Sequence, residues 1–306
     1  MADIGVLVMA YGGPNRIEDV EPYLLDVRNF RPTSPAVVHE IRERYARIGG
    51  RSPILERTET QARALQSALD ADDAHFRVVV GMRHWHPYIG TALKDLELRG
   101  IGRAVGLVMA PHYSRMSIGA YFQKITAAES AVTVAGIETW HLLDGLVEAL
   151  TGRIRDALER FPVEVREKVT ILFTAHSLPE RILSWNDPYP SQLQATMDAV
   201  LARLGRQPAR FAYQSAAMTP DPWLGPDARR VIAELAAAGA RDIVIAPIGF
   251  TCEHVEILYD VDIEFQRDAL ALGVRLERIE MVNDAPPMMA GLAGLVRQKA
   301  EESGWL

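Results

Sequence analysis

The sequence predicts an α/β protein with two similar doubly wound domains, each containing a parallel sheet flanked by helices. Three observations support this fold class. The chain has 306 residues, of which 48% are hydrophobic, and a single hydrophobic core rarely grows beyond this length. Short β-rich segments alternate with longer segments of helical periodicity. In addition, two stretches in the second half of the chain repeat the pattern of two stretches in the first.

Eight short apolar segments predict the strands, at 4–10, 76–82, 104–110, 132–137, 169–174, 211–214, 243–247 and 275–279. Longer segments rich in helix formers lie between them, at 56–69, 143–160, 190–204, 227–238 and 287–302. This alternation indicates parallel sheets, because a chain that joins two parallel strands usually crosses over through a helix. We place the first domain at residues 1–142 and the second at 143–286. Periodicity leaves open whether the final helix, 287–304, packs back on the first domain.

The internal repeat points to the position of a ligand. Residues 6–14 (VLVMAYGGP) and 171–179 (ILFTAHSLP) share an apolar strand, an alanine, a ring-bearing polar residue and a proline. Residues 107–111 (LVMAP) and 244–247 (VIAP) form a second pair, although buried parallel strands also resemble one another by chance. Ligands of doubly wound sheets bind beyond the carboxyl ends of the strands. We therefore predict an active site in the cleft between the domains, with Tyr11 and His176 on opposite sides of one ligand.

Composition excludes several classes of function. A formal net charge of −7 argues against a nucleic-acid partner, which requires a basic face. A single cysteine, Cys252, cannot supply a disulfide framework or the thiolates of an iron–sulfur cluster, and favours a reducing compartment. No apolar run approaches the roughly 20 residues that span a bilayer, and no basic leader is evident, so we expect a cytoplasmic protein. Gly12-Gly13-Pro14 lacks the spacing of a nucleotide-binding loop, so no nucleotide cofactor is expected.

His176 ends a predicted buried strand, where side chains point into the crevice beyond the sheet. An imidazole in that position is able to bind a divalent metal or to accept a proton near neutral pH. The alternative is a strand-end histidine that only forms a hydrogen bond with a loop.

A stripe of acidic residues follows the seventh predicted strand. On a helix, Glu253, Glu256, Asp260 and Glu264 would lie on one face at steps of three and four. Like charges at this spacing destabilise a helix slightly, so the stripe needs solvent, a cation or basic partners. A solvated face is the ordinary explanation, and a groove along which a hydrated dication passes is the functional one.

Arginines cluster between residues 28 and 53, in what the sequence indicates is a loop-rich stretch that also contains Phe30 and Tyr45. Guanidinium groups pair with carboxylates, so this stretch suits a flat, apolar and anionic ligand such as a porphyrin with propionates. The alternative is a solvated basic face. The arginines are Arg28, Arg31, Arg42, Arg44, Arg47 and Arg51.

His84 and His86 follow the second predicted strand and lie two residues apart. In an extended segment both would face one metal ion. Two histidines in a packed loop are the commoner arrangement.

Six motifs, in the family's order along nearly the whole chain, resemble the ferrochelatases. The resemblance implies a class II chelatase-like fold and a lyase of heme biosynthesis that inserts Fe²⁺ into a porphyrin. By the same resemblance His176 and Glu256 are the catalytic and metal-binding pair, and Asp260 and Glu264 form the path of the metal. The motifs are Tyr11-Gly12-Gly13-Pro14, 45–53 (YARIGGRSP), 110–114 (APHYS), 175–179 (AHSLP), 221–226 (DPWLGP) and 254–260 (HVEILYD).

The tyrosine of the first motif looks like that of the bacterial branch acting on coproporphyrin III, in which it lies on the face of the ring opposite the histidine. Arg28-Asn29 departs from the two consecutive arginines of some relatives, so propionate contacts are not carried over in detail. The expected substrate-binding residues are Tyr11, Arg28, Arg44, Tyr45, Ser52 and Tyr121, and the expected supporting residues are His84, Ser177 and Trp223.

The resemblance makes porphyrin and ferrous iron the substrates and requires no resident cofactor. It also implies transient contact with an iron donor or with a downstream heme enzyme. Three alternatives are open: a ferrochelatase acting on protoporphyrin IX, a cobalt or nickel chelatase of a modified tetrapyrrole, and a non-catalytic heme carrier that uses Tyr11 or His176 as an axial ligand.

Overall fold

Two four-stranded parallel sheets organise the chain in a computed structural model, which describes residues 3–70, 75–217 and 221–306. The first sheet has the spatial order β2-β1-β3-β4, and the second has the order β6-β5-β7-β8. The strands are β1 (Ile4–Ala10), β2 (Phe76–Met82), β3 (Arg103–Val108), β4 (Thr133–Ile137), β5 (Thr170–His176), β6 (Ala209–Gln214), β7 (Asp242–Ala246) and β8 (Arg275–Arg278).

Helices cover the faces of both sheets. The α-helices are α1 (Val20–Val27), α2 (Pro35–Arg47), α3 (Ile54–Leu69), α4 (Ile89–Leu98), α5 (Ile118–Ala127), α6 (Asp144–Glu159), α7 (Tyr189–Leu204), α8 (Ala228–Ala237), α9 (Gln266–Ala271) and α10 (Pro286–Glu302). A π-helix, Glu256–Phe265, directly precedes α9. Among the helices of the described residues, none is both long and apolar enough to cross a membrane.

The predicted fold class is confirmed. All eight predicted strands are present, and each begins and ends within two residues of its expected position. The stretches that repeat in the sequence are equivalent strands, because β1 and β5 occupy the second position of each sheet and β3 and β7 the third. All seven residues of β1 are buried, as expected for a central strand covered on both faces. The predicted domain limits at 142 and 286 stay predictions.

The arginine-rich stretch is not the loop that the sequence indicated. Arg42, Arg44 and Tyr45 lie on α2. The Ser34 side chain accepts a hydrogen bond from the Val37 amide at 3.4 Å, and Pro35 occupies the first turn. A serine cap followed by proline is a strong helix start, but the many charged residues weaken the hydrophobic periodicity that would reveal the helix.

One hydrophobic core lies between the two sheets. It contains Val6 and Val8 from β1, and Ile171 and Phe173 from β5. Residues of α3, α6, α7 and α10 fill the space between them. The opposite face of the first sheet packs on α4 and α5, and that of the second packs on α8, α9 and the π-helix. Both halves therefore share a core.

The two halves exchange their last helices. α6 follows β4 in the chain, yet it lies against α7 and β7 of the second half. α10 follows β8, yet it lies against α3, β3 and β4 of the first half. The two exchanged helices touch at Gly145, where a Cβ atom would lie only 2.0 Å from the Pro287 carbonyl oxygen. Only glycine permits this approach.

Candidate active site

His176 is the last residue of β5 and is directed by its neighbours. The Tyr189 hydroxyl donates a hydrogen bond to the His176 carbonyl at 2.9 Å. Nδ1 of His176 donates to the Ser177 carbonyl. This bond leaves Nε2 to face Glu256, whose Oε1 lies 3.3 Å away. Both side chains are partly exposed, at 33% for His176 and 26% for Glu256, so the pair is accessible to a ligand.

Glu256 is the first residue of the π-helix and has a second imidazole beside it. Nε2 of His254 lies 3.6 Å from Glu256 Oε2, and Nδ1 of His254 bonds to the Cys252 carbonyl at 3.1 Å. Oε2 of Glu256 forms no hydrogen bond with any described residue. A carboxylate oxygen without a bound proton or donor suits a cation.

The charges of His176 and Glu256 stabilise each other. Burial alone lowers the pKa of His176, but the charge and hydrogen bond of Glu256 outweigh it and raise this pKa to about 9. Burial likewise opposes ionisation of Glu256, and the two imidazoles reverse that effect and hold its pKa well below the usual range. At neutral pH His176 and Glu256 therefore form an imidazolium–carboxylate pair.

The predicted acidic stripe is correct in part. Asp260 and Glu264 follow Glu256 along the π-helix, but each has a partner. The Ser215 hydroxyl donates to Asp260, with Arg44 Nη1 at 3.8 Å, and Glu264 pairs with Arg229. Burial and the charge of Glu256 raise the pKa of Asp260 to about 6, against the hydrogen bond from Ser215.

Glu253 does not belong to this stripe. It precedes the helix and is buried, with Oε2 3.0 Å from Nε of Arg57 on α3. Its carboxylate therefore ties the second half of the chain to the first. The prediction assumed that the helix begins at residue 253, and charge spacing alone does not show where a helix starts.

Tyr11 lies directly after β1, in the first half of the chain. Its ring is 39% exposed and packs on the ring of His84 at 4.7 Å between centroids. The Arg83 guanidinium lies over Tyr11 at 5.7 Å and over Tyr121 at 5.4 Å. Burial of the phenol raises the pKa of Tyr11 to about 12; Arg83 opposes this rise, and the charge of Glu256 adds to it. The field of Glu256 thus reaches Tyr11 from the other half of the chain.

The other residues expected to bind the substrate differ in their burial and in their contacts. Tyr45 and Tyr121 are buried, and Ser52 is buried beside Gly13. Arg44 contacts Glu40 at 2.8 Å and lies over the Tyr259 ring at 5.2 Å, so it joins α2 to the π-helix. Arg28 ends α1 and is exposed. No contact of Arg28 with the pair His176 and Glu256 is present among the described residues.

Two of the three expected supporting residues, Ser177 and Trp223, lie beside His176. The Ser177 hydroxyl donates to the Leu224 carbonyl at 2.8 Å, which fixes the loop after β5. The ring of Trp223 lies 6.4 Å from that of His176. Both contacts connect the histidine to the segment that contains the DPWLGP motif.

His84 and His86 do not form a metal site. His84 is buried and bonds to Asp26, whereas His86 is exposed and packs against Trp85 and Tyr88. The segment bends rather than extends, so the two rings point to different surroundings. Within residues 3–70, 75–217 and 221–306, no three His, Cys, Asp or Glu side chains are placed to hold a metal ion together.

Sequence reasoning missed several residues of this region. Five further residues contact residues of the site or shift their pKa values: Asp26, Tyr23, Arg83, His254 and Ser215. Arg83 and His254 lie within or beside motifs quoted for the resemblance or for the histidine pair. Asp26, Tyr23 and Ser215 carry no local signal, because their contacts come from segments far away in the chain.

Two matching parallel sheets that face a histidine–glutamate pair define a two-domain α/β chelatase fold. Solved structures support this class. SirB from Bacillus subtilis with Fe³⁺ has a TM-score of 0.59 at 12% identity, over 99% of this chain and 98% of that chain. CbiX, described as the terminal enzyme of siroheme biosynthesis in denitrifying bacteria, has a TM-score of 0.56 at 13% identity, over 96% and 98%. At these identities the likeness establishes the fold alone.

Sequence comparison is more specific. The profile of the family described as Ferrochelatase matches residues 3–300. A ferrochelatase of Herpetosiphon aurantiacus is 42% identical over 290 residues, 93% of this chain and 95% of that protein. A coproporphyrin III ferrochelatase of Geobacillus kaustophilus is 36% identical over 306 residues, 98% and 97% of the two chains. The chain belongs to the ferrochelatase family, whose members are metal-inserting lyases that act on porphyrin.

Proposed function

We propose that this chain inserts Fe²⁺ into coproporphyrin III, with His176 and Glu256 as the catalytic pair. The observation that carries the proposal is the contact of 3.3 Å between His176 Nε2 and Glu256 Oε1, at the carboxyl end of β5 and within the electrostatic reach of Tyr11. Metal insertion has to remove two pyrrole N–H protons and the water bound to the cation. An imidazole beside a carboxylate supplies a base and a hard ligand for these two tasks.

The raised pKa of His176 gives the two residues an order of action. Before a cation binds, His176 is protonated because Glu256 is ionised beside it. A cation that binds Glu256 offsets the negative charge that stabilises the imidazolium, so the proton of His176 is released. The neutral Nε2 then accepts the two pyrrole protons one after the other and passes each to solvent, which reaches the partly exposed His176 side chain. Arrival of the metal and activation of the base are thus coupled.

Asp260 and Glu264 are proposed as the path of the metal toward Glu256. They lie in sequence along the π-helix, and carboxylates are suitable ligands for a partly hydrated divalent ion. The contacts with Arg44 and Arg229 neutralise the two carboxylates while no cation is present. A heme carrier has no use for such a path. Replacing Asp260 and Glu264 with asparagine and glutamine should therefore slow metal insertion by a chelatase but leave the heme affinity of a carrier unchanged.

Preference for coproporphyrin is supported by residues and by relatives. Tyr11 occupies the position that the resemblance assigns to the coproporphyrin branch, and Arg44 lies at the junction of α2 and the π-helix. Coproporphyrin III ferrochelatases of Geobacillus kaustophilus and Oceanobacillus iheyensis are 36% and 35% identical to this chain. Four propionates need more cationic partners than two, which favours the arginine-rich first half as the binding wall.

The proposed reaction requires no resident cofactor and takes ferrous iron as a substrate. A cytoplasmic location and transient contact with an iron donor or a downstream heme enzyme stay predictions. Cobalt or nickel chelatases of modified tetrapyrroles are the runner-up, because the SirB and CbiX folds are similar; their identities of 12% and 13% are far below those of the ferrochelatases.

The test is anaerobic turnover with Fe²⁺ and either coproporphyrin III or protoporphyrin IX, followed by the absorbance change of the porphyrin. We expect faster insertion into coproporphyrin III, and a loss of about 10² to 10⁴-fold in His176→Ala, the range for removal of a general base. Preference for protoporphyrin IX would contradict the role given to Tyr11 while preserving the reaction. Porphyrin binding without insertion of any divalent metal would favour a carrier.

A further inference from the structure

A second carboxylate–imidazole pair lies on the Tyr11 side of the site. Nδ1 of His84 is 2.6 Å from Oδ1 of Asp26. The side chains are 4% and 12% exposed. Asp26 belongs to α1 and His84 follows β2, so the contact joins two elements that are far apart in the sequence. The proposed reaction gives this pair no role.

The pair is coupled to Tyr11 through both backbone and ring. The His84 amide donates to the Tyr11 carbonyl at 2.9 Å, and the Arg83 amide donates to the Ala10 carbonyl at 2.9 Å. The two rings then meet at 4.7 Å with a tilt of 51°. Gly12 has φ of +90°, and a Cβ there would lie 3.0 Å from the Trp85 nitrogen. The glycine therefore allows the two strand ends to lie this close.

The chemistry of the pair selects one form of the histidine. Burial lowers the pKa of His84 against the effect of Asp26, so the ring is neutral and carries one N–H. In this form Nδ1–H of His84 donates a hydrogen bond to the Asp26 carboxylate, and the lone pair of the ring is on Nε2. Among the described residues no hydrogen-bond donor reaches Nε2. The ring is thus held in a defined tautomer and orientation under Tyr11.

A buried carboxylate is a poor way to gain stability, since an apolar pair of similar volume usually stabilises a fold as well or better. The pair instead resembles in form the contact between Glu256 and His176 in the other half. In each half a carboxylate orients an imidazole at the carboxyl end of a sheet. The difference is charge, because His176 is protonated before a cation binds and His84 is neutral.

We infer that Asp26 and His84 are positioning residues: Asp26 fixes the Nδ1–H tautomer of His84, and His84 holds the Tyr11 ring against the porphyrin face opposite His176. This inference rests on the proposed function, because it assigns the pair a purpose only if Tyr11 contacts a porphyrin. It predicts that loss of Asp26 acts on turnover through Tyr11 rather than through the fold.

The kinetic test is a double-mutant cycle with Asp26→Asn and Tyr11→Ala, measured with the porphyrin that the wild type prefers. We expect Asp26→Asn to lower kcat about 10-fold, a typical effect for a residue that orients a functional ligand, with KM nearly unchanged. In the Tyr11→Ala background the same change should have almost no effect, since nothing is left to position. Asp95→Asn is the matched control, because the half-exposed Asp95 side chain on α4 pairs with Arg99 and with no other described residue. Losses that multiply in the double variant would overturn the inference.

The second test needs no substrate and therefore separates this inference from the proposed function. ¹⁵N-histidine spectra of the free protein at neutral pH should show His84 protonated at Nδ1 and bare at Nε2. In Asp26→Asn the amide is able to donate to Nδ1, so the Nε2–H tautomer should grow in population. A wild-type ring protonated at Nε2, or an unchanged tautomer in Asp26→Asn, would refute the positioning role. A protein that passes this test but inserts no metal would instead refute the proposed function.

Discussion

His176 holds its proton because Glu256 lies 3.3 Å from it, and this contact makes a sharp prediction. In Glu256→Gln the charge that raises the pKa of His176 is gone. Burial, which is the largest effect and lowers this pKa, is then opposed only by the hydrogen bond to Ser177 and the charge of Asp260. We expect the pKa of His176 to fall from about 9 to below the ordinary value for histidine, near 6.5. An NMR titration of the His176 ring measures this directly. A pKa that stays near 9 would mean that Glu256 is not the source of the shift.

Asp260 illustrates a conflict between function and stability in one residue. Its folded-state pKa of about 6 lies above the ordinary value of 3.8, so the fold favours the protonated form. That contribution to stability is complete below pH 4 and is lost as the pH rises through 6. Asp260→Asn should therefore raise the free energy of unfolding at pH 7.5 by about 3 kcal/mol, the free-energy equivalent of this rise in pKa.

Urea denaturation at pH 7.5 and at pH 4 tests this prediction. The gain of Asp260→Asn should shrink at pH 4, where the wild-type carboxyl is protonated as well. Because Asp260 is also proposed to lie on the metal path, the stabilised variant should insert iron more slowly, a common trade-off at functional sites. Equal stability of variant and wild type at both pH values would show that the buried carboxylate is not destabilising.

The contact between α6 and α10 depends on the absence of a Cβ atom at Gly145. A Cβ atom at Gly145 would lie 2.0 Å from the Pro287 oxygen and 2.5 Å from its carbonyl carbon, and backbone atoms cannot rotate away. Gly145→Ala should therefore separate the two helices and lower the free energy of unfolding by about 3 kcal/mol, at the upper end of the usual range for overpacking.

Gly152 provides the control on the same helix. A Cβ atom there meets nothing within 4 Å, so Gly152→Ala should stabilise α6 by about 0.5 to 1 kcal/mol through helix propensity. Thermal unfolding of both variants beside the wild type is sufficient. Similar effects of the two substitutions would show that α10 does not approach α6 at Gly145.

At the scale of elements, sequence reasoning succeeded where hydrophobicity alone decides structure. The apolar runs of β1 and β5 are short and rich in β-branched or aromatic residues, which favours buried strands over helices, so their positions were predictable. The π-helix was not, because hydrogen bonding from residue i to i+5 leaves no distinctive pattern of side chains. Helix α2 was missed because its arginines obscure its apolar face.

The candidate site was predictable only in pieces. His176 has a local signal, since it ends a buried strand. Its contact with Glu256 joins residues 80 positions apart, and only the family resemblance connected them. Neither the local sequence pattern nor the family resemblance indicated Asp26. A single aspartate on a helix such as α1 is usually a solvated surface residue. The structure was needed to place it against His84.

The core between the sheets predicts how the whole molecule unfolds. Because β1 and β5 contribute to the same core, the two halves should lose structure together. Cys252 reports on their junction, since it is buried and packs with Ala10, Ile54 and Met82 of the first half. In a urea titration, reaction of the Cys252 thiol and loss of far-ultraviolet circular dichroism should show the same midpoint. Labelling of Cys252 at clearly lower urea would indicate that the halves separate before they unfold.

The exchange of α6 and α10 affects how the protein folds while the ribosome synthesises it. The ribosome completes all four strands of the first sheet by residue 137, but α10, which completes the cover of one face of that sheet, is made last, at residues 286–302. At about 5 to 20 residues per second, roughly 10 to 30 seconds of synthesis separate the two events. Throughout this interval α3 covers only part of that apolar face, so chaperones that bind such surfaces should associate with the growing chain until its final helix emerges.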